Sequence, residues 1–359
     1  MSFLDNLLGR RHPPLIGLDV STSSVKLVEL SMSSAGEYSV ERFASEPLEK
    51  GWITDGQIEK FDEVAEAVRR VVTKSGTKTT QVAMAMPQSA VITKKIVLPG
   101  GLSEDELEIQ VESEANQYIP FSLDEVSLDF CVIGPSAEAV GDVDVLIAAA
   151  RKDKVEDRRG LAESAGLKTT ILDIESNASR LAISRVIQGL PNGGRDSLVA
   201  LFEIGTETTS LKVLRDDEIL YDREQAFGGS QLTQMISRQY GLSFEEAEQK
   251  KLSGDVADDY EQNVLEPFVD MIAQEIGRAL TYFFTSTPHH RVHYVMLAGG
   301  TATLPGLTDR VLQVTEAATM VVNPFEGMKV GSAVREGRMR KDAPSYLTAC
   351  GLALRRFLQ

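Results

Sequence analysis

Two stretches far apart in the chain repeat one pattern, and this repeat constrains the fold most. The first reads Leu18-Asp19-Val20-Ser21-Thr22-Ser23-Ser24, and the second Phe202-Glu203-Ile204-Gly205-Thr206-Glu207-Thr208. In each, an apolar strand ends on an acid and a β-branched residue. The chain then enters a turn of Gly, Ser and Thr and leaves as a second strand, Val25 to Leu30 or Leu211 to Leu214. Internal repetition of a supersecondary unit predicts two related halves. The length of 359 residues, about twice a typical domain, agrees with two lobes.

The repeat also carries chemistry. Small turn residues let backbone N–H groups approach phosphate oxygens, and hydroxyls add donors. Ser21, Thr22, Ser23 and Ser24 supply one such turn; Gly205, Thr206 and Thr208 supply the other. Asp19 and Glu203 at the strand ends are placed to hold a hydrated magnesium ion. Lys26 leaves the first turn as a point charge that reaches a phosphate. Two such hairpins facing each other would clamp a triphosphate. A single acid beside a Ser/Thr turn is ordinary hairpin chemistry, so the pair, not either member, carries the reading. The formal net charge of −16 argues against nucleic acid or an anionic membrane bound over the whole surface. A polyphosphate would therefore need these local donors.

Residues 1–14 read as an appendage, with Phe3, Leu4, Leu7 and Leu8 on one helical face before Arg10, Arg11 and Pro13-Pro14. A surface-docked or frayed terminal helix is the plain reading. Strands are expected over 15–30 and 38–44, a helix over 61–72 and a strand over 82–86. Residues 89–165 form a separate α/β unit. It has strands at 91–98, 126–133 and 143–150, a helix from the Ser103/Glu106 capping box to Tyr118, and a helix over 152–165. A strand at 171–174, a helix over 176–188 and a linker at 190–195 follow. The second half has strands at 198–204, 208–214 and 218–224, a Gly228-Gly229 turn, and a long helix over 260–284. A strand at 292–297 then enters Gly299-Gly300, and a final helix covers 345–358. No stretch reads as a signal peptide or a membrane span. Cys131 and Cys350 are far apart, without zinc spacing, and read as reduced, mostly buried thiols. His289, His290 and His293 follow Pro288 and read as a polar loop rather than a metal site.

This order of elements resembles the actin, Hsp70 and hexokinase superfamily. Within it the chain resembles the PilM family, the FtsA-like actin homologues of type IV pilus assembly. IGLDVSTSSVKLVEL (16–30) and LFEIGTETTSLKVL (201–214) are similar to the two phosphate motifs. ILDIESNASRLAI (171–183) and YLTACGLALR (346–355) are similar to the connecting segments, and VMLAGGTATLPGL (295–307) to the adenosine motif. The segment 112–130 resembles the relocated 1C subdomain. The resemblance implies an α/β, two-lobe actin-like (ribonuclease H-like) fold with an inserted 1C subdomain. Residues 15–88, 166–195 and 338–359 would form lobe 1 (subdomain 1A), 89–165 subdomain 1C, and 196–337 lobe 2 (subdomains 2A/2B). It implies ATP with magnesium, Gly299, Gly300 and Thr301 at the adenosine end, and Glu248 and Lys251 at the ribose. As an i,i+3 pair, Glu248 and Lys251 also read as a surface ion pair. Glu175 matches the acid that positions the attacking water; its other reading is a helix-start acid favoured by the dipole. One residue departs from the pattern: the second phosphate motif usually begins with Asp, and here it is Glu203. Octahedral magnesium tolerates such a shift poorly, so at most slow ATPase activity is expected.

The implied role is a cytoplasmic ATP-binding adaptor recruited to the inner membrane by its partners. It would hold the N-terminal cytoplasmic tail of PilN in a groove between subdomains 1A and 1C, and so link the inner-membrane platform to the assembly machinery. Pilus assembly ATPases are further candidate partners; nucleic acid is not. Two alternatives stay open: an FtsA-like filament-forming cytoskeletal ATPase, and a small-molecule kinase. The kinase needs a carboxylate base beside a substrate hydroxyl, and no segment after the first hairpin offers a convincing one.

Overall fold

A computed structural model describes residues 13–137 and 139–358. The apolar tail positions Phe3, Leu4, Leu7 and Leu8 lie outside the described residues. The chain divides into two compact units. The first comprises Pro14–Leu27 and Ala44–Glu175; the second comprises Val28–Phe43 and the chain from Ser176 onward.

The first unit begins with β1 (Ile16–Val20) and the start of β2 (Ser24–Met32), and resumes in the last part of β3 (Tyr38–Pro47). A small hairpin, β4 (Ile53–Thr54) and β5 (Gln57–Ile58), leads to helix α1 (Phe61–Ser75) and β6 (Gln81–Met86). Then come β7 (Val91–Pro99), α2 (Glu104–Tyr118), β8 (Val126–Pro135), β9 (Asp142–Arg151), α3 (Lys152–Ser164) and β10 (Lys168–Ile174). Its main sheet runs β10-β6-β1-β2, with β1 and β10 both parallel to β6. Parallel strands covered on both faces read as continuous apolar runs. That is why all five residues of β1 are buried, Asp19 included. Helix α1 turns Val64, Ala65, Val68 and Val71 into one core with Leu161 and Ala162 of α3, and stops at Gly76 in the left-handed region (φ 65°). Full burial of each such Val or Leu side chain is worth about 1.5–3 kcal/mol.

Strands β7, β9 and β8 form a separate antiparallel sheet, with a core of Ile96, Leu98, Val111, Ala115, Val126, Val145 and Ile147, whereas α3 packs into the core that holds α1. Both arms of the Ser103/Glu106 capping box are formed at the start of α2. One expectation fails here. Cys131 is exposed, not buried, because strand alternation puts it on the face of β8 opposite Leu128 and Phe130, which pack on the core.

The second unit opens with α4 (Glu175–Gln188), from Ser176 on, followed by β11 (Val199–Ile204), β12 (Thr209–Arg215) and β13 (Glu218–Gln225). Helices α5 (Ser230–Tyr240), α6 (Phe244–Ser253) and α7 (Glu266–Ser286) come next. The unit closes with β14 (Tyr294–Ala298), α8 (Leu307–Thr315), β15 (Ala318–Val321), β16 (Lys329–Val330), α9 (Glu336–Asp342) and α10 (Leu347–Leu354). The sheet order is β13-β12-β11-β14-β15. Alternation along β11 divides the core. Ala200, Phe202 and Ile204 pack with Phe268, Ile272, Ile276 and Phe283 of α7. Val199 and Leu201 pack with Ala182 and Ile183 of α4 and with Leu347, Cys350 and Ala353 of α10. Helix α10 is shorter than expected, being bounded by 3-10 turns at Ala343–Tyr346 and Arg355–Phe357. Helices α4 and α10 meet at Gly351, where an added Cβ would lie 1.7 Å from the Ala178 carbonyl oxygen.

Candidate functional site

In the first unit, the expected residues of the first hairpin come together at the end of β1. The Ser21 hydroxyl and amide both donate to the Ser24 carbonyl at 3.0 Å, which closes the turn, and Thr22 and Ser23 form its bend. The Ser23 carbonyl accepts from the Leu48 amide at 2.9 Å. Lys26 lies 3.5 Å from the Asp19 carboxylate, and both side chains are largely buried. Glu175 begins α4 directly after β10, so the strand end aims it and the helix dipole favours its charge.

A residue that sequence reasoning missed organises this region. Arg158 of α3 is only 3% exposed, yet its guanidinium donates to the Val20 carbonyl at 2.9 Å and the Gly56 carbonyl at 3.3 Å. Burial pushes the guanidinium below its ordinary pKa, while Glu175, Asp19 and Asp157 pull it back up. Arg158 is thus a buried cation held by two backbone carbonyls, with two of the expected site acids within electrostatic reach. A signal was present: Val155, Arg158, Leu161 and Ala162 form the buried stripe of α3, so an arginine stands where helical periodicity wants an apolar residue.

Arg158 also lines a cavity of about 230 Å³ within the same unit. Gly56, Ile58, Met86 and Pro87 form one wall. Ile92, Phe121, Val126, Ala149 and Arg151 of the 89–165 region form the other. The Arg151 guanidinium lies 5.7 Å from the centre of the Phe121 ring and pairs with Asp153 at 2.9 Å. Apolar walls with a few fixed charges are what a peptide or small-ligand groove requires.

In the second unit, Glu203 stands next to last in β11. Its Oε2 accepts from Lys212 Nζ at 2.7 Å, and its Oε1 accepts from the Thr348 hydroxyl at 3.4 Å. Lys212 is 4% exposed and also donates to Ser210 Oγ at 2.9 Å. On the flanking strand, Asp222 sits directly opposite Lys212. Burial pushes the Asp222 carboxyl above the ordinary aspartate range; Lys212 opposes that rise and Glu203 adds to it. Lys212 is the counterpart of Lys26: each follows an apolar residue in the second strand of its hairpin, and each pairs with the acid of the first. Sequence reading used the first lysine and overlooked the second.

Around the second turn, backbone meets backbone. Gly229 N donates to the Gly205 carbonyl at 2.9 Å, and Ser230 N to the Thr206 carbonyl at 2.8 Å. A Cβ on Gly228 would lie 2.6 Å from both of those carbonyl oxygens. Gly205 N donates to the Thr208 carbonyl at 2.9 Å, and the Thr301 hydroxyl to the Gly205 carbonyl at 3.3 Å. Gly299 adopts φ +91°, with the Ile204 carbonyl 2.3 Å from where its Cβ would stand. Gly300 has open space there instead. Lys251 pairs with Glu248 at 2.6 Å and donates to Thr233 Oγ1 at 2.8 Å, while the Thr233 hydroxyl also bonds Glu248. So Gly205, Thr206, Thr208, Glu248, Lys251, Gly299 and Thr301 belong to one neighbourhood, joined by the expected Gly228-Gly229 turn and by Thr233, which sequence reasoning missed.

The expected magnesium ligands are both engaged, Asp19 by Lys26 and Glu203 by Lys212 and Thr348. Among the described residues, no group of three or more His, Cys, Asp or Glu is arranged to hold a metal ion. His293 Nδ1 accepts from the Leu198 amide at 2.8 Å, and His289 stacks on Phe283, so both have structural partners.

Comparison with known proteins identifies the fold and the family. A family model described as type IV pilus assembly protein PilM matches residues 17–357. A solved PilM-PilN type IV pilus biogenesis complex contains a chain 28% identical to this one, with a TM-score of 0.78 over 97% of this chain and 99% of that one. The cell division protein FtsA of Enterococcus hirae is 26% identical over 341 residues, spanning 82% of this chain and 74% of FtsA. The ethanolamine utilization protein EutJ of Carboxydothermus hydrogenoformans shares the fold, at 18% identity and a TM-score of 0.57 over 95% of this chain and 89% of that one. The fold is the expected two-lobe, actin-like α/β fold. With the family model spanning almost the whole chain, this protein belongs to the type IV pilus assembly protein PilM family.

Proposed function

We propose that this chain is a nucleotide-binding adaptor of type IV pilus assembly that holds the N-terminal tail of a PilN-type partner. The tail would lie between the 15–88 part of subdomain 1A and the inserted 89–165 subdomain 1C, with 196–337 serving as lobe 2. The observation that carries this reading is the apolar cavity of about 230 Å³ flanked by Ile58, Pro87, Ile92 and Phe121. Similarity to a chain of a PilM-PilN complex supports the same occupant. Among the described residues no helix is long and apolar enough to cross a membrane, so membrane attachment through a partner suits this role.

ATP is the proposed second ligand, with the first hairpin and Glu175 as candidate contacts in one unit and the Gly205, Thr206 and Gly299-Thr301 turns as candidate contacts in the other. Magnesium would accompany the phosphates, as it commonly does in nucleotide sites. Turnover is at most slow, and the nucleotide acts by biasing the affinity for the tail. It can shift that affinity only by its own differential affinity for the two states.

Fluorescence anisotropy with a labelled PilN tail peptide tests the adaptor reading. Binding is expected for the wild type and a loss of it for Ser89→Trp, which fills the cavity from its rim. Undiminished binding by Ser89→Trp would place the peptide elsewhere. A thermal-shift series with ATP tests the nucleotide: at 100 times its Kd a ligand stabilises by about 2.7 kcal/mol.

A further inference from the structure

We propose that Lys212 is a built-in counter-cation of the second hairpin. It neutralises Glu203 in place of a divalent ion, so that this hairpin takes up nucleotide phosphate without magnesium on Glu203. This rests on the nucleotide reading above.

The geometry explains why two unusual residues occur together. In the β11–β12 ladder Glu203 faces Ser210, and Lys212 lies one same-face position further along β12. Such diagonal neighbours stand roughly 7–8 Å apart at the backbone. A glutamate arm, one methylene longer than the aspartate expected at this position, closes that diagonal to 2.7 Å. The second carboxylate oxygen is taken by Thr348, whose hydroxyl also lies 3.3 Å from that of Ser179. Glu203 is therefore held from two sides, by strand β12 and by helix α10.

The charges point the same way. Lys212 is buried between Glu203 on one neighbouring strand and Asp222 on the other, and Ser210 takes another of its three donors. A divalent ion on Glu203 would have to displace this ammonium and then remain beside it. In a buried setting that repulsion is screened weakly. The elevated Asp222 carboxyl fits a cluster with one cation for two acids. A lysine also stands beside Asp19, but that pair is longer, at 3.5 Å, and leaves the first hairpin better placed to meet a phosphate-bound ion.

The test is calorimetric titration of the full chain with ATP, once in excess magnesium and once in EDTA. Because magnesium also travels with the phosphates, the readout is a difference between proteins: the wild type and Glu203→Gln are expected to lose the same affinity in EDTA within about threefold, whereas a site that relied on Glu203-held magnesium would lose about tenfold more in the wild type. An excess loss of that size in the wild type overturns the proposal. Lys212→Met is expected to gain magnesium dependence in the same titration. A second readout uses no nucleotide: thermal unfolding with magnesium alone should leave the wild type unmoved and raise the midpoint of Lys212→Met. A magnesium shift in the wild type, or none in the folded variant, overturns the inference even if no nucleotide binds. Absence of nucleotide binding in both buffers defeats only the reading on which it rests.

Discussion

Arg158 Nη1 donates to the Val20 carbonyl at 2.9 Å, which ties helix α3 to the strand that carries Asp19. The same guanidinium reaches Gly56 on the cavity wall. Arg158→Met keeps most of the volume but leaves the Val20 and Gly56 carbonyls without their donor and removes a buried positive charge near Asp19 and Glu175. Leaving a buried acceptor without its donor typically costs about 1–3 kcal/mol. Urea unfolding should show a loss in that range, and peptide anisotropy a weaker complex. Arg158→Lys should restore part of the stability but not both carbonyl contacts, because an ammonium cannot fork. A wild-type unfolding curve for Arg158→Met would show that the arginine is incidental.

Gly351 allows α10 to touch α4. With a Cβ at 1.7 Å from the Ala178 oxygen, Gly351→Ala forces two helices apart. Overpacking of this kind costs about 1–3 kcal/mol or more. Differential scanning calorimetry should show a clear fall in melting temperature. Gly337→Ala is the contrast, since nothing lies within 4 Å of its Cβ position in α9. There a gain of about 0.4–1 kcal/mol is expected, from a less flexible unfolded chain. Equal effects at the two sites would contradict the close crossing.

The two cysteines should separate by reactivity. Burial pushes the Cys350 thiol up to about 12, leaving almost no thiolate at neutral pH, whereas Cys131 lies on the outer face of an edge strand. Maleimide added to the native protein should label Cys131 alone, with Cys350 reacting only after denaturation. Native labelling of Cys350 at a comparable rate would mean that the core around α10 opens readily.

Asp222 predicts a pH dependence with a definite sign. Its folded pKa is raised above the ordinary value of 3.8, chiefly by burial. The stability it contributes is present below that value and is lost as pH rises through the folded pKa. Asp222→Asn removes the titration, so the stability of the variant should fall less than that of the wild type as pH rises from about 4 toward neutrality. Parallel pH profiles from urea midpoints would rule out Asp222 as a source of the slope.

Much of the fold was legible because its signals are local. The apolar run into Asp19, the repeat at Glu203, the helical stripe of α1 and the Ser103/Glu106 box each involve residues within a few positions of one another. Strand ends and helix starts followed from them, and so did the placing of Gly205, Thr206 and Gly299 in tight turns. Less was legible in the site. Lys212 was passed over although it repeats Lys26, because a lysine inside a strand usually reads as a solvent-facing residue. Arg158 was passed over for the same reason, in a helix rich in charge.

The sequence by itself determined the two acid-ended hairpins, most strands and helices, and the family, since periodicity, capping and turn chemistry act between near neighbours. Only the tertiary structure decided what each charge meets. Thr348 reaches Glu203 from 145 residues away, and Arg158 reaches Val20 from 138. Strand register and helix crossing set those contacts. Burial then decides their strength, because a charge removed from water must find its partner wherever the fold has put one.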